Sequence, residues 1–136
     1  MKILVIGASG QLGSEFCELS RESGYEVTAI SRGELDLEQK PELISSAIRE
    51  YQAELVVNCA AYTQVDRAES EPERAFAVNR DAAAAIAQGV AGYRGHLLHV
   101  STDFIFAGDQ CAPYKEADPA GPLNIYGQSK YEGELA

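Results

Sequence analysis

The chain has 136 residues, of which 46% are hydrophobic and 24% are charged, and its formal net charge is −10. This length predicts one domain with its own core, and the negative charge argues against nucleic acid or an anionic membrane as a partner. Three cysteines without C-x-x-C spacing indicate a reducing, cytoplasmic compartment, and the sequence shows neither a signal peptide nor a membrane-spanning apolar run.

The first element is an apolar run without alternation, Ile3–Ile6, which predicts a strand buried on both faces. Gly7, Gly10 and Gly13 follow, and a helix is predicted over 11–23. Glycines at a strand end allow a tight turn and a close approach of a ligand, and the helix presents unpaired N–H groups. The stretch therefore predicts a dinucleotide pyrophosphate site, although its spacing is G-x-x-G-x-x-G. The alternative is a turn that serves only helix–strand packing.

Strands and helices alternate through the rest of the chain. Strands are predicted over 26–30, 34–37 (very short), 55–61 and 96–100, and helices over 41–51, 72–91 and 124–136. Three prolines mark a long loop over 107–124, of the kind that is often functional. The alternation predicts a doubly wound parallel α/β sheet, a Rossmann-type NAD(P)-binding fold, in which ligands bind at the carboxyl ends of the strands.

Polar residues follow several of these strands, which supports a site at that edge. Ser31 and Arg32 follow the second strand, where an acidic residue would bond the ribose 2′-OH of NAD and an arginine would accommodate the 2′-phosphate of NADP. Arg32 therefore favours NADP, with NAD still possible. The alternative is that Arg32 is a solvated loop residue.

Tyr126 and Lys130 are four residues apart and lie on one face of the last predicted helix. A free tyrosine has a pKa of about 10, and a nearby ammonium favours the phenolate. A hydroxyl from Ser101 or Thr102 could hold a carbonyl oxygen near the phenol. Alone, such a pair is more often surface packing. Beside a dinucleotide loop, it predicts a proton donor next to a hydride carrier.

Several motifs together resemble the extended short-chain dehydrogenase/reductases. They are the glycine loop 7–13, Asn58-Cys59-Ala60-Ala61-Tyr62-Thr63, the stretch 65–72, Ser101-Thr102-Asp103-Phe104-Ile105-Phe106, 122–127 and Lys130. The resemblance is closest to members that reduce the 4-keto group of dTDP-4-dehydro-6-deoxy-L-mannose to dTDP-L-rhamnose. It implies a catalytic triad in which Tyr126 protonates the ketone oxygen, Lys130 holds the nicotinamide ribose and Thr102 orients the carbonyl.

The same resemblance implies the other site residues. Gly10, Gln11 and Leu12 would meet the pyrophosphate, Asp36 and Leu37 would flank the adenine, and Ala61, Tyr62 and Thr63 would line the ribose and nicotinamide side. The predicted cofactor residues also include Gly7, Gly13, Ser31, Arg32, Ala60, Tyr126 and Lys130. Thr102 and Asp103 would contact a nucleotide-sugar substrate. Some members are reported to use magnesium, but we predict no metal site from these residues. A homo-oligomer is possible.

The sequence departs from the family pattern in two ways. Phe104 stands where tyrosine is common, so the particular sugar stays open. Family members also continue into a substrate-binding part, so we expect residues 1–136 to be the dinucleotide-binding domain, truncated before the substrate domain, with Lys130 poorly fixed near a fraying helix end. The alternatives are another nucleotide-sugar epimerase or dehydratase, or a non-catalytic NADP-binding regulatory subunit like the methionine adenosyltransferase β subunit.

Overall fold

The computed structural model describes residues 1–136 and contains one sheet of four parallel strands with helices on both faces. The strands are β1 (Lys2–Ile6), β2 (Glu26–Ile30), β3 (Leu55–Asn58) and β4 (His96–His99), in the spatial order β2-β1-β3-β4. The helices are α1 (Gln11–Glu22), α2 (Pro41–Tyr51), α3 (Val65–Ala68), α4 (Pro72–Phe76), α5 (Ala82–Ala91) and α6 (Ile125–Leu135). The predicted doubly wound α/β class is confirmed.

The register of the strands aligns their carboxyl ends. Ile6 pairs with Ile30 of β2 and with Asn58 of β3, and Asn58 pairs with His99 of β4. The four strand exits therefore emerge side by side along one edge of the sheet. This is the edge where a parallel α/β sheet binds its ligands.

Each face of the sheet buries a separate apolar cluster. On one face, Leu4 and Val56 of the sheet pack with Ile44 and Ile48 of α2 and with Ile86 of α5. On the other face, Ile3, Val5 and Val57 pack around Cys17 of α1, and Cys59 is only partly buried against them. The absence of alternation in β1 thus has its expected cause, which is burial on both faces.

The very short strand predicted over 34–37 is wrong. Leu35 and Leu37 are buried in the larger core cluster, but they lie in turns and not in the sheet. The backbone N–H groups of Glu34 and Leu35 donate to the carbonyl of Ser31, so this segment satisfies its donors locally. Two leucines with a polar residue between them can face a core from a turn as well as from a strand.

The helix predicted over 72–91 is continuous but not uniform. A π-helical segment, Ala77–Asp81, joins α4 to α5. It contains Asn79, a polar side chain that is almost fully buried. The short helix α3 was not predicted. None of the helices is long and apolar enough to span a membrane.

We expect Gly13→Ala to destabilise the chain by about 2 kcal/mol, because a new Cβ would lie 2.3 Å from the carbonyl oxygen of Gly7, and backbone must then move. Gly33→Ala is the matched control, since its nearest contact would be the Ser31 hydroxyl at 3.9 Å. Denaturant unfolding of the two variants measures the difference. Equal stabilities would contradict the close packing of the glycine loop.

Candidate functional site

A cleft of about 790 Å³ opens at the carboxyl edge of the sheet, a volume suited to a small-molecule ligand. Its lining includes thirteen of the predicted cofactor residues: Gly7, Gly10, Gln11, Leu12, Gly13, Ser31, Arg32, Asp36, Leu37, Ala60, Ala61, Tyr62 and Thr63. They come from the exits of β1, β2 and β3. Three separate stretches of sequence therefore converge on one cavity.

The glycine loop presents backbone to this cleft. Gly7 has φ +78°, and a Cβ there would lie 2.8 Å from the backbone nitrogen of Ala60. The N–H of Gly10 donates to the Gly7 carbonyl at 3.0 Å, which closes the turn before α1. Helix α1 begins without a side-chain cap and without an acidic residue in its first turn. Its first N–H groups and the positive end of its dipole therefore remain for an anion, and this end fits a pyrophosphate.

Ion pairs line the β2 end of the cleft. Arg32 Nη2 donates to Glu38 Oε1 at 2.5 Å, and its Nε lies 3.8 Å from Asp36. Arg74 of α4 also holds Glu38, and Arg67 lines the same cleft. Glu38, Arg67 and Arg74 were not predicted, because nothing in the local sequence places α3 and α4 over the exit of β2.

Asn79 ties the cleft to α6. Its Oδ1 accepts from the backbone N–H of Tyr62 at 2.8 Å, and its Nδ2 donates to the Tyr62 carbonyl and to Ser129 Oγ. The oxygen and both N–H groups of this buried amide thus bond to the β3 exit loop or to the helix that carries Tyr126 and Lys130. Asn79 therefore fixes the predicted catalytic helix relative to the predicted cofactor loop. Sequence reasoning missed it, because it reads as one polar residue inside an alanine-rich helix.

Helix α6 begins at a capped and closely packed turn. Asn124 Oδ1 accepts from the Gly127 N–H at 2.7 Å, and a Cβ on Gly127 would lie 2.2 Å from the carbonyl oxygen of Phe104. This contact seats α6 on the short 3-10 turn, Asp103–Ile105, that follows Thr102. The Phe104 and Tyr126 rings meet edge to face, with centroids 5.5 Å apart. The predicted proton donor thus packs on the turn that directly follows Thr102.

Lys130 is firmly placed, so the expectation of a poorly fixed lysine is wrong. Only 1% of the residue is exposed, and its Nζ donates to the carbonyl of Val100 at 2.5 Å. Nζ also lies 3.3 Å from His99 Nε2. Burial lowers the pKa of Lys130 to about 8, while the carboxylate of Glu134 opposes that shift.

The His99 ring lies between Lys130 and Asn58 of β3 and contacts both of them. The Ala60 N–H donates to Asn58 Oδ1, so the Asn58 amide nitrogen faces His99 Nδ1 at 3.1 Å and donates to it. A neutral His99 with this bond carries its proton on Nε2, the ring nitrogen that lies 3.3 Å from Lys130 Nζ. Burial, with the Lys130 charge as a second cause, lowers the pKa of His99 to about 4.

The predicted residues thus fall into two groups. Thr102, Asp103, Tyr126 and Lys130 do not line the large cleft. Asp103 instead lines a second cleft of about 270 Å³ with Phe104, Leu123 and Asn124. No group of three or more His, Cys, Asp or Glu side chains is arranged to hold a metal ion.

Helices wound on both faces of a parallel sheet, with the glycine loop at its carboxyl edge, define a Rossmann-type fold. A family model described as "RmlD substrate binding domain" matches residues 1–136, and the chain belongs to this family. The resemblance that the motifs indicated is confirmed.

Known relatives agree with this assignment. A dTDP-4-dehydrorhamnose reductase from Streptomyces griseus is 45% identical over 133 residues, which are 98% of this chain and 43% of that protein. A probable dTDP-4,6-dihydroxy-2-methyloxan-3-one 4-ketoreductase from Streptomyces antibioticus is 39% identical over 137 residues, covering 100% of this chain and 46% of the relative. The crystal structure of dTDP-4-dehydrorhamnose reductase from Bacillus anthracis str. Ames in complex with NADP matches with a TM-score of 0.92 at 33% identity, over 98% of this chain and 48% of that one. The chain thus spans less than half the length of each.

Proposed function

We propose that this chain is the cofactor-binding part of an NADP(H)-dependent reductase that converts dTDP-4-dehydro-6-deoxy-L-mannose into dTDP-L-rhamnose. The observation that carries the proposal is the single cleft at the exits of β1, β2 and β3, which gathers thirteen predicted cofactor residues. The Bacillus anthracis relative, which is similar over nearly the whole chain, was solved in complex with NADP. The substrate in this proposal is inferred from the relatives that are named as dTDP-4-dehydrorhamnose reductases.

The residues of this chain suit that chemistry. The α1 N-terminus and the glycine loop would hold the pyrophosphate of NADPH, whose nicotinamide would supply a hydride for the carbonyl carbon of the keto sugar. Tyr126 donates its phenol proton to the carbonyl oxygen, and Thr102 orients that oxygen by a hydrogen bond. Lys130, held by Val100 and His99 on the helix that carries Tyr126, holds the nicotinamide ribose in this proposal.

The identity of the sugar is the most specific part of the proposal. Phe104 packs against Tyr126 at the second cleft and offers no hydroxyl to a sugar. One relative is named for a different 4-keto sugar nucleotide, so reduction of a dTDP-linked 4-ketone is the chemistry that the relatives share. The substrate-binding wall is proposed to lie outside residues 1–136.

Binding and turnover, measured together, test the function. We expect the 136-residue chain to bind NADPH, followed by its fluorescence, but not to oxidise it measurably with the keto sugar present. Catalysis needs the ketone held about 3–3.5 Å from the hydride, and residues 1–136 provide only one wall of such a site. Failure to bind any dinucleotide would overturn the function, and turnover would overturn the assignment of residues 1–136 as a cofactor domain alone.

We expect NADPH to bind more tightly than NADH, and Arg32→Ala to bring the two affinities within about threefold. Arg32 is the arginine nearest the exit of β2 that lines the cleft. Calorimetric titration with both dinucleotides measures the ratio. Lys40→Ala, which removes an exposed cation outside the cleft, is the control and should leave the ratio unchanged. Equal affinities in the unaltered chain would refute the preference for NADP.

A further inference from the structure

Glu38 stands between two arginines at the rim of the large cleft. Arg32 Nη2 donates to its Oε1 at 2.5 Å, and Arg74 donates through Nη2 to Oε1 at 2.9 Å and through Nε to Oε2 at 3.0 Å. The two bonds from Arg74 form a bidentate pair, the geometry in which a guanidinium holds a carboxylate best. All three residues line the cleft.

The anchoring of the three side chains is unequal. The exposed fraction is 68% for Arg32, 40% for Arg74 and 26% for Glu38. Arg74 is held further by Glu71, to which its Nη1 donates at 2.8 Å, and Glu71 also accepts from Arg67. Glu38 is therefore fixed from the α4 side, and Arg32 is the partner that is free to exchange.

We propose that Glu38 sets how strongly the chain prefers a 2′-phosphorylated dinucleotide, by occupying Arg32 in competition with the 2′-phosphate. This inference rests on the proposed NADP(H) binding. The Glu38 carboxylate occupies Nη2 of Arg32, and because Arg74 keeps that carboxylate in place, a phosphate bound to Arg32 lies close to it and the two anions repel. NADH places no phosphate there, so Glu38 weakens NADPH binding selectively.

The charge of Glu38 persists at neutral pH. The hydrogen bonds from Arg74, with the charges of both arginines, hold the pKa of the Glu38 carboxyl below its usual range. Asp36 adds a second, more distant carboxylate on the same arginine. The arginines that line the cleft thus already pair with carboxylates of this chain. In this proposal, the preference for NADP depends on whether Arg32 contacts the Glu38 carboxylate or the 2′-phosphate.

The test compares the ratio of NADPH to NADH affinity in the unaltered chain and in Glu38→Gln, by fluorescence or calorimetric titration. We expect the ratio to rise about fivefold, since the amide keeps the shape and loses the charge. Because NADH affinity serves as the internal reference, a general loss of cleft structure weakens the binding of both dinucleotides and leaves their affinity ratio unchanged. Glu42→Gln removes an equal charge from the exposed first turn of α2, outside the cleft, and should leave the ratio unchanged.

A second pair of variants identifies Arg32 as the contested cation. In the Arg32→Ala background, Glu38→Gln should change the ratio by clearly less than it does in the unaltered chain, because only the repulsion between the carboxylate and the phosphate remains. An unchanged ratio for Glu38→Gln in an otherwise unaltered chain that binds both dinucleotides would overturn this inference and leave the proposed function intact. A chain that binds neither dinucleotide would instead overturn the proposed function.

Discussion

Tyr126→Phe, made in a full-length protein that carries these residues, should lower kcat by about 100-fold or more, the usual contribution of general acid–base catalysis. The substitution removes only the phenol oxygen. The ring that packs edge to face on Phe104 is retained, so the start of α6 should keep its position. Cofactor affinity should barely change, because Tyr126 does not line the large cleft. Steady-state kinetics with the keto sugar, together with NADPH titration, measures both quantities.

Tyr131→Phe is the matched control, because it removes a phenol oxygen from the same helix one residue after Lys130. It should leave kcat near that of the unaltered protein. Normal turnover by Tyr126→Phe would mean that the phenol has no part in the proton transfer, and that Tyr126 only packs α6 against the turn after Thr102.

The sequence predicted what depends on local order and periodicity. The uninterrupted apolar run of β1 and the glycines after it placed the strand, the turn and the helix correctly, because each follows from neighbouring residues. The alternation of strands and helices then implied a parallel sheet, and a parallel sheet brings all strand exits to one edge. Gly7, Arg32 and Tyr62 could therefore be assigned to one site before any distance was known.

The remaining features depend on contacts between distant parts of the chain. Glu38 and Arg74 are 36 residues apart, and only the packing of α4 over the β2 exit brings them together. Asn79 meets Ser129 across 50 residues. Leu35 alternates as a strand residue would, but a turn satisfies its backbone and buries its side chain, so periodicity alone could not decide. Contacts between side chains this far apart in the chain cannot be predicted from the local pattern of a single sequence.

Lys130 was misjudged for a related reason. Its position near the end of α6 suggested fraying, but what fixes the side chain comes from β4, through the Val100 carbonyl and the ring of His99. These partners lie about 30 residues earlier in the chain. The burial that results changes the acid–base behaviour of the amine, and this has a measurable consequence for stability.

We expect the stability of the chain to rise as the pH increases from about 8 to about 10.5, by roughly 3 kcal/mol more than in Lys130→Met. The folded-state pKa of Lys130 is lowered to about 8 from 10.5, so within this window the unfolded chain binds the proton and the folded chain does not. Stability therefore increases with pH, and below pH 8 the full cost of burying the ammonium is present. Denaturant unfolding at a series of pH values measures the difference.

The difference between the two chains is the informative quantity, because tyrosines and other lysines titrate in the same range in both. Lys40→Met, at the exposed start of α2, should keep the pH dependence of the unaltered chain. Lys130→Met should also be the more stable protein at pH 7, since it buries a methyl thioether where the unaltered chain buries a charge. Parallel curves for Lys130→Met and the unaltered chain would mean that the Lys130 amine is hydrated in the folded state. In that case His99 and Val100 would not hold the amine. Lys130 would then lack the fixed position on the Tyr126 helix that the proposed proton transfer requires.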